Sequence, residues 1–212
     1  MGSGGSNSAG GGAIALISNG TVVVNGSVTA DGIDTGATSS SSGSGGSIYI
    51  SANAINGTGT ITANGGIHGG AGGIGGDGGR IALYYNTTNT LTGTVTASGQ
   101  SGGVAGTIVF VNSNSKDLYV YGGALGNGAG YLYLDASSGF DAYTMQPRYD
   151  GVYKFNHVYI GTYAGNNYNG TIYFRGTYAT NMNGRGPILM ALGNITVYRG
   201  SHINASGDGF AA

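Results

Sequence analysis

The chain has 212 residues, of which 47 are glycine, seven are basic and eight are acidic, and it contains no cysteine and no glutamate. A net charge of −1 gives no electrostatic attraction to nucleic acid, and no run of about 18 apolar residues is present that could insert into a membrane. Helix formers such as Glu and Lys are scarce, whereas Val, Ile, Thr and Tyr favour strands, so we expect essentially no helix.

A short alternating pattern of apolar residues recurs along the chain. It occurs at 13–17, 47–51, 80–84 and 107–111. Alternation of this kind is typical of a strand that buries one face.

A second pattern follows the first at a nearly constant distance. It consists of an apolar residue, a polar residue, alanine, a turn former and glycine, and occurs at 28–32, 61–65, 95–99 and 203–207. Three of its alanines, Ala30, Ala63 and Ala97, are spaced by 33 and 34 residues. This spacing indicates an internal repeat.

Each repeat therefore reads as strand, short turn, strand and glycine-rich loop. One repeat cannot bury its own apolar face, but stacked copies can form continuous parallel sheets. We predict a single all-β domain over 1–212, a right-handed parallel β-helix of about six turns. The repeats are regular over 11–106 and again over 187–212, and they are degenerate and rich in tyrosine over 107–186.

The glycine tracts between repeats are longer than a short connection between strands requires. Glycine permits close approach of neighbouring backbones, so the tracts are expected to pack as extended chains that hydrogen-bond to one another. The alternative is that they are mobile surface loops.

The segments GGSIYISANAINGTGTITANGG and GGDGGRIALYYNTTNTLTGTVTASG resemble glycine-rich parallel β-helix repeats of large cell-surface and adhesin-like proteins of bacteria and archaea. The resemblance covers about residues 11–106 and 186–209. It implies a β-solenoid located outside the cell, used as a stalk, filament or adhesin. The segment at 1–6 has neither the basic start nor the apolar core of a signal peptide, so we expect the secretion signal to lie outside this chain.

Neither end of the sequence looks like a cap for a solenoid. Joining 203–212 to 1–18 recreates an ordinary connection between repeats. Two interpretations remain open: the chain is a module of a longer solenoid, or copies of it stack head to tail.

The segment 140–163 breaks the repeat and concentrates charge, and 13 of the 16 tyrosines follow residue 118. Tyrosine rings stack on sugar faces and offer a hydroxyl, so a ligand site for cell-surface glycan is predicted here. The candidate residues are Asp141, Tyr143, Arg148, Tyr149, Asp150, Tyr153 and His157. The alternative is that the tyrosines cover a widened core or a contact between subunits.

Other chemistry has little support in the sequence. Asp141 and Asp150 are the carboxylate pair in the charge-rich segment that could suit glycoside hydrolysis, and His68, His157 and His202 lie in unrelated contexts. We therefore expect neither an enzyme nor a cofactor. The stretch 72–78 matches the start of a calcium-binding nonapeptide once, which makes Asp77 a weak candidate for calcium.

Seven Asn-x-Ser/Thr sequons are present in the chain. They begin at Asn19, Asn25, Asn56, Asn86, Asn169, Asn194 and Asn204. These are possible glycosylation sites of an extracellular protein, or simply favourable turns.

The sequence thus predicts a non-catalytic structural protein of the cell exterior, a filament subunit or an adhesin stalk module. The alternative is a glycan-binding adhesin module, including the kind found at phage tail tips. A polysaccharide-active enzyme is the least favoured interpretation.

Overall fold

The computed structural model describes residues 1–5, 8–36, 41–69, 73–100, 102–122, 130–135, 139–163, 166–167, 170–175 and 186–205. This part of the chain is all-β without helix, and it forms a β-solenoid of about five turns. The strands are β1 Ala13–Ile17, β2 Thr21–Val23, β3 Ser27–Thr29, β4 Ser47–Gly57, β5 Thr60–Thr62, β6 Arg80–Leu91, β7 Val95–Thr96, β8 Thr107–Asn112, β9 Asp117–Gly122, β10 Gly130–Asp135, β11 Gly139–Asp141, β12 Gln146–Arg148, β13 Val152–Phe155, β14 Val158–Ile160, β15 Thr162–Tyr163, β16 Asn166–Asn167, β17 Gly170–Arg175, β18 Ile188–Ala191, β19 Ile195–Val197 and β20 His202–Asn204.

Equivalent positions of successive repeats lie directly beside one another, as the sequence predicts. Strands β1, β4, β6 and β8 are parallel neighbours in one large sheet, and β3, β5 and β7 form a second sheet. The column Ala30, Ala63 and Ala97 is buried along the inside of the stack. The repeat period therefore corresponds to one turn of the solenoid.

The chain reverses direction after the fourth strand of the large sheet, which the sequence analysis did not predict. Strand β9 pairs antiparallel with β8, and β14 and β19 then continue parallel to β9. The side chain of Asn112 accepts the amides of Asn114 and Ser115 at 3.0 Å each, and Lys116 has a φ of 64°. This tight turn occupies the place where a further solenoid turn was expected, and the turns number about five instead of six.

The hydrophobic core changes sides of the large sheet at the same point. Ile108 and Phe110 of β8 point into a first core shared with β1–β7, whereas Val109 and Val111 contact a second core on the opposite face. Strand direction and core side both reverse at β8–β9. Because two reversals cancel, the first and second halves of the solenoid wind with the same hand.

Near β8–β9 each core ends while the sheet continues, and aromatic side chains cover these ends of the cores. Tyr119 packs against the first core and stacks on Tyr159, with ring centroids 4.9 Å apart. On the other face, Tyr84 packs against the second core and contacts Tyr49 and Phe140. These tyrosines act as caps on the two internal ends of the solenoid.

The glycine tracts are packed chains, which confirms that interpretation over mobile loops for the described residues. The Gly45 amide donates to the backbone carbonyl of Asp77 in the next turn at 2.8 Å. The Gly46 amide donates across its own turn to the backbone carbonyl of Ala30 at 2.7 Å. Bonds of both kinds recur at Gly78 and at Gly79. The two legs of each tract are thereby tied to each other and to the neighbouring turn.

Side chains reinforce this backbone packing at regular positions. Asp31 accepts the Asn64 amide at 2.6 Å, and the Asn64 side chain accepts the Ser98 amide at 2.8 Å in the next turn. Asp34 accepts the Ile67 amide at 2.6 Å in the same way. The few acidic residues of the loops thus satisfy amides between turns.

We predict that Gly45→Ala lowers the free energy of unfolding by about 1–3 kcal/mol, because overpacking forces neighbouring backbone apart. A Cβ at Gly45 would lie closer than 3.0 Å to the Ala63 carbonyl and to the Gly79 amide nitrogen. Gly12→Ala is the matched control, because nothing lies within 4 Å of its Cβ position. Denaturant unfolding of both variants measures the difference, and equal stability of the two would contradict the packed arrangement.

Burial of Tyr84 and Tyr119 raises the pKa of each phenol to about 12. The fold favours their neutral form, so their contribution to stability is complete below about pH 10 and is lost as the pH rises towards 12. We expect a late phase in a phenolate absorbance titration, together with falling stability over that range. The double variant Tyr84→Phe/Tyr119→Phe should show a smaller late phase, with a remainder from Tyr159, whose pKa burial also raises, and Tyr149→Phe should retain the full phase. A phase unchanged in the double variant would refute the assignment.

Candidate functional site

The charged residues predicted at 140–163 meet around the hairpin formed by β11 and β12. Gly139 pairs with Arg148 and Asp141 pairs with Gln146 in antiparallel register. The turn between the strands ends at Met145, which has a φ of 55°. This local hairpin brings Asp141 and Arg148 to the same side of the solenoid.

Asp141 is the buried centre of the cluster. One carboxylate oxygen accepts the Tyr143 amide at 2.9 Å. The other lies 3.5 Å from Nη1 of Arg148 and 3.9 Å from Nζ of Lys154. Two cations and one amide therefore balance a single carboxylate that has little access to water.

Arg148 also binds the exposed carboxylate of Asp150. Its Nε donates to Oδ1 of Asp150 at 3.0 Å, and its Nη2 bonds the second oxygen. The hydrogen bonds from Arg148 lower the pKa of Asp150 to about 2, with a smaller contribution from the Val152 amide. The same hydrogen bonds to Asp150 raise the pKa of Arg148. A general acid for glycoside hydrolysis needs a raised carboxyl pKa, and the guanidinium between the carboxylates has the opposite effect on Asp150.

The predicted tyrosines of the site occupy different environments. Tyr143 and Tyr149 are exposed, and Nζ of Lys154 lies 4.9 Å from the centroid of the Tyr143 ring. Tyr153 packs against the second core. Two of the three tyrosines are thus available to a ligand at the surface.

Among the described residues, the hydrogen bonds of His157 join it to other parts of the chain and not to this cluster. Its Nδ1 accepts the Asn194 amide at 2.8 Å, and its own amide donates to Asp117 at 3.0 Å. Its ring lies 6.0 Å from that of Tyr159. His157 therefore connects β14 to the neighbouring turns, a position that suits a structural role.

Lys154 was not among the predicted site residues, although it belongs to the same charge-rich segment. Lys154 faces Asp141 because β11 and β13 are parallel neighbours that pair these two residues. The residue type and the charge-rich segment were visible signals. The register of β11 with β13 was not, because it depends on the intervening hairpin.

The weak calcium candidate Asp77 lies in a glycine loop, where its Oδ1 accepts the Val104 amide at 2.7 Å. A shallow cavity of about 350 Å³ lies beside it, lined in part by Arg80 and Thr107. Among the described residues, no three or more histidine or acidic side chains gather into a potential metal site. A single carboxylate is too few ligands for calcium, which takes six to eight oxygens.

The predicted sequon asparagines differ in exposure. Asn19, Asn25, Asn86 and Asn194 are exposed. Asn56 and Asn204 are partly buried, and the side-chain oxygen of Asn56 is buried without a hydrogen-bond partner. Asn169 lies outside the described residues. Glycosylation stays a prediction, and the exposed asparagines are sterically better suited to it.

Comparison of the chain with known protein families, with curated proteins and with solved structures found no match. The resemblance to glycine-rich surface repeats therefore stays a prediction from the sequence. Within the described residues, no helix is both long enough and apolar enough to cross a bilayer.

We predict that Asp141→Asn destabilises the fold by about 1–3 kcal/mol, because Arg148 and Lys154 lose the buried carboxylate that pairs with both. Asp150→Asn is the matched control, and because its side chain is 48% exposed, the change should lower the denaturation midpoint much less. Denaturant unfolding distinguishes the two. A loss from Asp150→Asn as large as that from Asp141→Asn would contradict the structural role of the buried carboxylate.

Proposed function

We propose that the chain is a non-catalytic structural protein of the cell exterior, a β-solenoid filament subunit or adhesin stalk module that stacks end to end. The observation that carries the proposal is that both outer ends of the solenoid expose apolar side chains beside open strand edges. Edges of this kind are templates for pairing with another chain, and natural proteins normally cover or charge them.

The first end is formed by β1, β2 and β3. Among the described residues, these strands pair on one side only, with β4 and β5. Ile17 is 76% exposed and Val23 is 58% exposed at this end. No charged residue lies in the three strands to discourage association.

The second end is formed by β18, β19 and β20. Each is paired within the described residues on one side only, with β13, β14 and β17 respectively. Ile195 and Val197 are each 44% exposed here, although their equivalents Val158 and Ile160 in the preceding turn are fully buried. One further layer of chain would bury them.

The rest of the molecule suits a mechanical role. Parallel backbone hydrogen bonds join successive turns, and the glycine loops add a second hydrogen-bonded layer outside the core. Only 7% of residues are charged, so little of this cohesion depends on salt or on ionisation. Placement outside the cell is supported by composition and by the resemblance to surface repeats.

The alternative function is glycan binding at the β11–β12 hairpin. Exposed Tyr149, and exposed Tyr143 beside Lys154, favour it, because aromatic rings and cations both contact sugars. A catalytic function has less support, since Arg148 binds both Asp141 and Asp150.

Electron microscopy of the purified protein tests the proposal, and we expect ordered fibres one solenoid wide. Val23→Lys/Ile203→Lys places a charge at each end and should abolish the fibres. Ile33→Lys, at a 57% exposed position on a glycine loop, should retain them. A dispersed monomer at high concentration would refute end-to-end stacking, and glycan binding by that monomer would favour the alternative.

A further inference from the structure

We propose that successive copies join through an antiparallel pair of β1 from one copy and β19 from the other, in the register that joins β8 to β9 within the chain. The inference rests on the proposed end-to-end stacking and specifies its direction and contacts.

The outer face of β1 is apolar although no described residue covers it. Ala15 and Ile17 point away from the first core, which receives Ile14 and Leu16. Exposed outer faces of strands normally carry polar residues. An outer face made of alanine and isoleucine indicates a surface that becomes covered.

Strand β8, the fourth strand of the same sheet, shows what covers an apolar outer face. Through the parallel registers of β1, β4, β6 and β8, Ala15 is equivalent to Val109, and Ile17 is equivalent to Val111. Val111 is fully buried and Val109 is partly buried, and both contact the second core. They are covered because β9 lies antiparallel beside β8 and brings the second half of the solenoid onto that face.

The last strand of the sheet is the equivalent of β9. Through β14, Leu118 is equivalent to Ile195, and Val120 is equivalent to Val197. In β9 these positions are buried opposite Val111 and Val109. In β19 they lie on the same face and are the half-exposed apolar residues of the second end.

The two ends therefore complement each other as β8 and β9 do. In the same register, Ile17 of one copy lies opposite Ile195 of the next, and Ala15 lies opposite Val197. The second core of one copy covers the outer face of β1 in the next, so all four side chains become buried. Pairing of β1 with a second β1 would leave Ile17 exposed, because neither copy would bring a second core to that face.

Such a contact joins unlike surfaces and does not close on itself, so it produces an open filament. The internal junction and the intermolecular junction then alternate along one continuous sheet. The core changes sides at each junction, and every chain contributes one reversal of its own.

Disulfide trapping tests the junction without background from native disulfides, because the chain has no cysteine. Opposed residues of antiparallel strands have Cα atoms about 4.5–5.5 Å apart, within the range that a disulfide accepts. Mild oxidation of assembled Ile17→Cys/Ile195→Cys should give a ladder of covalent oligomers on a denaturing gel, and each single variant should give none. Ala15→Cys/Val197→Cys samples the adjacent pair of the same register and should give the same ladder.

Ile33→Cys/Ile195→Cys is the matched control. It should assemble but run as a monomer on the denaturing gel, since Ile33 lies on a glycine loop outside the junction strands. Wild-type circular dichroism and Tm of the reduced variants establish that they fold. Dimers from Ile17→Cys alone would overturn the proposal in favour of pairing between two β1 strands. Fibres that give no ladder with either double variant would overturn the junction and leave end-to-end stacking intact, whereas absence of both fibres and ladders would overturn both.

Discussion

The structure depends on one constraint: the backbones of successive turns must lie close enough to form hydrogen bonds at equivalent positions. In the strands, any residue can adopt this spacing. In the glycine loops, the backbone must lie equally close both to the next turn and to the opposite leg of its own turn. The Gly45 amide bonds the next turn while the Gly46 amide bonds the opposite leg of its own turn. A Cβ at Gly45 or at Gly78 would meet neighbouring backbone, so the abundance of glycine follows from packing and not from a need for mobility.

The reversal at β8–β9 gives the solenoid two cores on opposite faces of a single sheet. Each core therefore ends inside the molecule near β8–β9, although the sheet itself continues. Aromatic rings such as Tyr84 and Tyr119 cover these internal ends of the cores. The tyrosine enrichment after residue 118 is partly explained by this role. The charged hairpin around Asp141 and Arg148 lies at the boundary of the second core and stabilises that boundary through its buried carboxylate.

Much of the fold could be predicted from the period of Ala30, Ala63 and Ala97, because a repeat that cannot bury its own face must stack. The reversal was missed, although β8 carried a signal: Ile108 to Val111 are all apolar, as expected of a strand buried on both faces. At the site, Asp141, Arg148 and Asp150 are near in sequence and meet through a local hairpin. Lys154 and His157 depend on register between turns, which the sequence pattern does not specify.

The packed glycine loops have a consequence for proteolysis. Exposed loops rich in small residues are ordinarily the segments that proteases cleave first, because an enzyme needs a stretch of free backbone in its cleft. The legs of these loops already use their amides and carbonyls in bonds to two neighbours. A protease must pull a leg out of this array before it can bind it, so the described legs of the glycine loops are protected by their own backbone.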